Sequence, residues 1–395
     1  MNKLITIIGI CLLNITCSSN YVNACHDDPP DNLKDDLKVG TLDEAGIDPD
    51  PVLEAARRIG SGKYGEVHSM LIYREEMLVF ERYFQGHDYQ WEAPRHYGEW
   101  VNWDGQMLHH AHSVSKSITS LCVGIAVDKG FIRDIHQSIF EYLPDYQYLK
   151  TNENQNITIE NLLTGTSGLL WAEWSAPLSS MENDQIAMWF HEQGPVDFVL
   201  GRPMIAEPGT HFIYSGGNIE LLGVIVENAS GMPFETFSEK YLFEPMGMDQ
   251  AEWSLIYPTG EVEAAGGLRI TPREMVKIGA MMLNNGVWNG KQIIPSDWIE
   301  KCKYPFPACR DIHIPGEDLF DMGYSYAWWT KQIDYKGQVI HWYSANGWGG
   351  QQIIVLPELN TVLVFTGANY TRKVKEYKIF ERYLLPALVE GSTQT

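Results

Sequence analysis

Strand-forming runs stand near both ends of this chain and helical ones between them, and that order limits the folds available to it. Towards the N-terminus, EVHSMLIYREEMLVFERYF reads as two strands joined by a tight polar turn at REE. Towards the C-terminus, GYSYAWWTKQI, QVIHWYSAN, GGQQIIVLPELN and TVLVFTGAN read as four consecutive antiparallel strands. No second linker and no internal repeat divides the chain. The expected architecture is therefore α/β (α+β): an antiparallel sheet whose strands come from both chain ends, flanked by helices, with a helical region inserted between them. One domain over residues 41–395 is expected, with sheet regions at 41–110 and 262–395 and a helical region at 111–261.

The helical signals are local. Residues 50–59 form a first helix with Pro51 near its start. HSVSKSITSLCVGIAVDKG carries Val114, Ile118, Leu121, Cys122 and Ile125 as an apolar stripe of helical period, with Ser113, Lys116, Ser117 and Ser120 on the other side and Gly130 as its C-cap. Thr158 caps a short helix, and ITPREMVKIGAMMLNNG and IPSDWIEKC open on Thr and Pro chemistry. YKIFERYLLPALVEG closes the chain as a helix. The stretch up to Trp103, rich in Trp, Tyr, His and Pro, shows no period and is expected to be an irregular loop near the site, and 171–194 an insertion over it.

A net charge of -22 leaves no basic footprint for nucleic acid, so none is expected as a partner. Lys3 and the apolar run at residues 4–13 resemble a secretory signal, too short to span a membrane. Residues 1–17 are expected to be that signal, 18–40 a polar leader or tether, and the protein exported: periplasmic, an outer-membrane lipoprotein, or secreted. Cys17 is a candidate for lipidation and so for membrane attachment, although Asn14, Ile15 and Thr16 fit the usual lipobox poorly. In an oxidising compartment Cys302 and Cys309 could pair across CKYPFPAC, while Cys122 reads as a buried small hydrophobe. His109, His110 and His112 lack a clear fourth ligand and read as solvated or capping residues, so no metal and no organic cofactor is expected. The sequons at Asn156, Asn228 and Asn369 matter only in a glycosylating host.

Three motifs carry chemistry. In Ser113-Val114-Ser115-Lys116 the serine and lysine lie one helical turn apart, which brings the amine within reach of the hydroxyl. A serine hydroxyl attacks only when a base takes its proton, and a lysine serves as that base when its surroundings disfavour the charge. Tyr214-Ser215-Gly216-Gly217-Asn218 offers a tyrosine before a helix, able to pass protons. Trp348-Gly349-Gly350-Gln351 enters an apolar strand, where a backbone without side chains can carry substrate and N–H groups can bind an oxyanion.

With these motifs in order, the chain resembles the penicillin-recognising serine hydrolases, and more closely the class C β-lactamase-like esterases and amidases, including 6-aminohexanoate-dimer hydrolases. The resemblance covers roughly 69–367 and includes ITIENLLTGTSGL, RPMIAEPGTHFIYSGGN and GWGGQQIIVLPELNTVLVFTG. It implies a β-lactamase/transpeptidase-like fold, with Ser113 as nucleophile, Lys116 as base and Tyr214 as second base or proton shuttle. The oxyanion hole it implies is made by the N–H groups of Ser113 and Gln351. Trp348, Gly349 and Gly350 would form the substrate strand, and Ser215, Asn218, Trp171 and Trp174 the pocket. The chain departs from the family where Tyr-x-Asn becomes Tyr214-Ser215-Gly216 and where Trp348-Gly349-Gly350 replaces Lys-Thr-Gly. The missing lysine removes a cation for a substrate carboxylate, which favours a small-molecule ester or linear amide over the alternative of β-lactams or peptidoglycan stems acted on by a β-lactamase or D,D-peptidase. A catalytically weak binding protein on the same fold is the alternative from another class.

Overall fold

The computed structural model describes residues 27–391 apart from Asp318; the expected signal at 1–17, with Cys17, and residues 18–26 lie outside the described residues. The main sheet is built from β1 (Val67–Arg74), β2 (Met77–Tyr83), β3 (Gly323–Ser325), β4 (Trp328–Tyr335), β5 (Gln338–Gly347), β6 (Gln351–Leu356) and β7 (Thr361–Gly367), in the spatial order β3-β4-β5-β6-β7-β1-β2. The longer helices are α1 (Pro49–Gly60), α2 (Val114–Asp128), α3 (Gly216–Ser230), α4 (Pro272–Leu283) and α5 (Ser296–Lys303). All neighbouring strands are antiparallel, and β7 joins the two chain ends by pairing with β1, Phe365 opposite Met70 and Leu363 opposite Ile72.

Both faces of the sheet are covered. Successive strand residues point to opposite faces. In β5, the Tyr343 hydroxyl donates to the Met282 carbonyl of α4 at 3.0 Å, while the Trp342 ring lies 5.4 Å from Phe380 and Ser344 Oγ is 2.9 Å from the Tyr377 hydroxyl, both in the closing helical stretch. Every residue of β6 and β7 is buried, which is why IIVL and VLVF show no polar alternation. At Gly279 of α4 an added Cβ would stand 2.3 Å from Val362 Cγ1, so this helix lies directly on the sheet.

Several expectations change here. The run at 323–333 is not one strand: Tyr326 and Ala327, both at positive φ (49° and 62°), turn the chain between β3 and β4. The cause is tertiary, since Ala327 N donates to Leu163 O at 2.9 Å and the Tyr326 hydroxyl to Glu160 at 2.8 Å. The expected irregular stretch before Trp103 holds a β-ribbon, Gln85–Tyr89 against Tyr97–Asn102, with His87 opposite Trp100. The described part of the polar leader is not a free tether. Val39 bridges to Leu78, Leu37 is buried, and Arg273 donates to Asp35 at 2.8 Å, to Glu81 at 2.6 and 2.9 Å and to the Asp31 carbonyl at 2.6 Å.

Helix α2 is not two-sided. Every residue from Val114 to Ala126 is buried, and three of its hydroxyls bond to backbone around it: Ser117 to Ala327 O at 2.6 Å, Thr119 to Ala264 O at 2.8 Å, and Ser115 accepting from Leu268 N at 3.2 Å, while Ser120 Oγ has no partner among the described residues. Such bonds offset the cost of burying polar groups on a helix buried all round. Cys302 and Cys309 are free thiols rather than a disulfide, one donating to Trp298 O and the other to Thr164 O, at 3.4 and 3.2 Å. Among the described residues no helix is long and apolar enough to cross a membrane.

Candidate active site

The chain turns into α2 through His112, which sits in the left-handed region at φ 47°, and Ser113 follows as N-cap residue. Lys116 lies one turn on. Its Nζ is within hydrogen-bond distance of Ser113 Oγ at 3.0 Å, the Ala265 carbonyl at 3.3 Å and Glu173 Oε1 at 3.4 Å. Tyr214 borders the same cavity as Ser113, and its ring centre is 5.0 Å from Lys116 Nζ. Burial first and the Glu173 carboxylate second push the Tyr214 phenol well above its ordinary value, the Ser113 hydroxyl partly offsetting them. The fold thus brings Ser113, Lys116 and Tyr214 together at one end of a cavity of about 770 Å³.

Sequence reasoning missed the groups that hold these three. Glu173 pairs with Lys116 through one oxygen; its other oxygen accepts from Gly216 N at 2.6 Å and Trp171 Nε1 at 2.9 Å. One carboxylate therefore ties the lysine to the first turn of the helix that follows Tyr214. That turn needs Gly216 and Gly217, because a Cβ at Gly216 would stand 2.1 Å from Gln185 Oε1 and one at Gly217 2.7 Å from the Trp171 ring. Glu220 of α3 accepts from Ala264 N and Ala265 N at 2.9 and 3.0 Å, which sets the Ala265 carbonyl where Lys116 reaches it. The only sequence signal for Glu173 is a carboxylate among the tryptophans of WAEW, with no spacing to link it to Lys116.

The expected pocket residues divide. Trp174 lines the cavity and stacks on Tyr214 at 4.7 Å, with Trp329 beside both. Trp171 does not line it and instead braces Glu173. Ser215 is the N-cap of α3, accepting from Asn218 N at 3.2 Å, and Asn218 is buried in that helix; neither borders the cavity.

The glycine motif is also corrected. Trp348 borders the cavity, but Gly349, Gly350 and Gln351 do not. Gly349 and Gly350, at φ 88° and 101°, turn the chain from β5 into β6, and a Cβ on them would meet the Tyr370 ring at 2.5 Å and Glu376 Oε1 at 2.2 Å. The Gln351 side-chain amide donates to Gly367 O at 2.6 Å and accepts from Gly367 N at 3.3 Å, and its backbone pairs with Gly347 in the sheet. What read as an open strand edge is a turn, and the backbone on the cavity wall is Asn346, Gly347 and Trp348. Gly347 lies so close to Ala111 O that a Cβ would be 2.2 Å from it, which places this backbone beside the loop into Ser113.

Of the three histidines His109 is not solvated, while His110 and His112 are half-buried and border the cavity. His109 is buried and stacked on Trp103 at 4.0 Å, and His112 faces Tyr89, Trp348 and Tyr370 with ring centres 4.7, 5.5 and 5.6 Å away. Burial holds both imidazoles well below their ordinary value and so neutral. Among the described residues no three His, Cys, Asp or Glu side chains converge in a way that could hold a metal. Glu263, on the cavity wall, is pushed up to about 7 by burial, with Lys116 opposing the shift.

The family model of the Beta-lactamase family matches residues 68–378, most of the chain. The chain belongs to the Beta-lactamase family. It is 28% identical over 263 residues to the 6-aminohexanoate-dimer hydrolase of Paenarthrobacter ureafaciens, a match spanning 65% of this chain and 65% of that protein's length. Simvastatin Synthase from Aspergillus terreus shares the fold with a TM-score of 0.65 at 15% identity, over 85% of this chain and 98% of that one. A family VIII carboxylesterase does so with a TM-score of 0.61 at 15% identity, over 85% and 96%. The Beta-lactamase family fold, an antiparallel sheet with mixed helices, thus carries esterases, amidases and acyltransferases.

Proposed function

We propose that this chain is a serine hydrolase acting on an ester or linear amide through an acyl-enzyme on Ser113. The observation that carries the reading is the 3.0 Å bond from Lys116 Nζ to Ser113 Oγ, with the Tyr214 ring 5.0 Å from the same amine, in an aromatic-walled cavity. Ser113 Oγ attacks the carbonyl carbon and passes its proton to Lys116 in its free-amine form. The tetrahedral intermediate collapses, and the leaving oxygen or nitrogen takes a proton through the Tyr214 hydroxyl. Water then attacks the acyl-enzyme, gives a proton back through the same pair, and frees the acid and Ser113. Burial keeps Tyr214 a neutral phenol, which supports a proton relay rather than a phenolate base. The N–H of Ser113 and an N–H from the stretch 346–348 are the candidate oxyanion donors, in place of Gln351.

The hydrolase reading is supported by the relative that acts on 6-aminohexanoate dimers and by the carboxylesterase neighbour. Its test is turnover of p-nitrophenyl butyrate and of a linear amide dimer, with nitrocefin alongside. Ester or amide turnover with nitrocefin left intact is expected; fast nitrocefin turnover with inert esters would give the site to β-lactams instead.

A further inference from the structure

Away from Ser113, the cavity wall carries two side chains that the hydrolytic steps leave unused. Glu317, in the loop before β3, is 9% exposed, and Asn346, near the end of β5, is 6% exposed. Both border the cavity. Neither Glu317 Oε2 nor Asn346 Nδ2 has a hydrogen-bond partner among the described residues. The amide of Asn346 is held by its oxygen, which accepts from the Tyr377 hydroxyl at 3.0 Å, so its two N–H donors remain. Tyr377 links the two: it bonds Asn346, and after burial the Glu317 carboxyl is the next cause raising its phenol. A buried acceptor and a buried donor left unbonded beside one cavity are costly, and a bound ligand removes that cost.

Charge selects the ligand. The carboxylates on this wall are Glu92, Glu173, Glu263 and Glu317, against Lys116 and Arg372. Glu173 is paired with Lys116, and Glu263 accepts from Gln185 at 2.9 Å. Burial, and then the nearby Glu376 carboxyl, push Glu317 up to about 8, so a cation placed against it would relieve both effects.

We propose that Glu317 and Asn346 form a recognition subsite for a protonated amine with a neighbouring carbonyl oxygen, the ammonium on Glu317 Oε2 and the carbonyl on Asn346 Nδ2. On the reading of Ser113 as nucleophile, on which this rests, the substrates are cationic, aminoacyl-like esters or amides. Aromatic walls beside carboxylates suit such a group, since rings attract cations and carboxylates neutralise them.

The test is calorimetric titration of the wild-type protein with β-alaninamide, its neutral isostere butyramide and the anion succinamate. β-Alaninamide is expected to bind at least roughly tenfold tighter than butyramide, the size of one charge-assisted hydrogen bond. In Glu317→Gln with an unchanged unfolding midpoint, that preference is expected to fall to about twofold or less. Equal binding of the two amides, tightest binding by succinamate, or a preference that survives in Glu317→Gln overturns the proposal. Should Glu317→Gln fail to fold, the wild-type kcat/KM ratio of the p-nitrophenyl esters of β-alanylglycine and butyrylglycine, whose amide carbonyl is separate from the ester, corrected for their hydroxide-catalysed rates, decides it: a ratio well above one supports the subsite, and a ratio of one or below overturns it. A butyryl adduct on Ser113 is measured separately, so amine preference without an adduct supports the subsite while failing the hydrolase reading.

Discussion

Glu173 joins two parts of the site through one carboxylate, and its removal should be felt in turnover more than in binding. Glu173→Gln keeps an acceptor for Gly216 N or Lys116 but loses the negative charge and one bonding geometry. We expect kcat to fall about tenfold with KM changed by less than about twofold, as for loss of a group that positions a proton-transfer residue; a change confined to KM would place Glu173 in substrate binding instead. At this scale Ser113 and Lys116 were legible because a helix turns their sequence spacing into contact. Tyr214 was legible from its tight turn into a helix. Glu173 and Glu220 were not, because nothing local links them to Lys116; only the packing of the 171–174 segment and of the 264–265 loop brings them there. The oxyanion assignment to Gln351 failed for a related reason. Whether a Gly-Gly pair makes an open strand edge or a reversal depends on φ, which glycine leaves free.

Between elements, Arg273 is the clearest joint. It is 3% exposed and ties α4 to β2 and to the segment before α1 through Glu81, Asp35 and the Asp31 carbonyl. Removing one member of such a buried set strands the remaining charges. Arg273→Ala is expected to lower unfolding stability by about 3 kcal/mol, read from the urea midpoint at unchanged m-value; a loss below about 0.5 kcal/mol would mean the network is no stronger than a surface ion pair. Elements were legible where apolar runs were bounded by caps or turns: most of the antiparallel strands, α3, α4 and the extent of α2, whose two-sided character was misread. They were misread where a distant group fixes the backbone. The Tyr326–Ala327 turn has no glycine or asparagine to announce it and exists because Leu163 and Glu160 bind it. The ribbon before Trp103 was hidden because its histidines and aromatics pair across strands at positions without alternation, as His87 does with Tyr97 at 4.5 Å.

For the molecule as a whole, buried carboxyls set the response to pH. Burial raises Glu263 and Glu376 to about 7 and Glu317 to about 8, from an ordinary 4.5. Each holds its proton more tightly in the folded chain than in the unfolded one. Their stabilising contribution is therefore full below about 4.5 and is lost as pH rises to between 7 and 8. The net charge of -22 acts in the same direction, because raising the pH adds repulsion. The unfolding midpoint is expected to be higher at pH 7 than at pH 9, a window above the ordinary 6.5 of the buried neutral histidines, by roughly 2–5 °C; a midpoint that rises across it would show that these carboxyls are ionised in the fold. At this scale the order of strands and helices along the chain was enough to read a sheet assembled from both ends, since β7 has to find β1 across the helical region. The two covered faces were not legible, because continuous apolar strands do not say which helices lie on them.

The account stands on Ser113, and intact-protein mass spectrometry after brief reaction with p-nitrophenyl butyrate tests it most directly. A single butyryl adduct mapped to Ser113, absent in Ser113→Ala together with ester turnover, is the predicted result. Turnover that persists in Ser113→Ala, or an adduct on another residue, would contradict it.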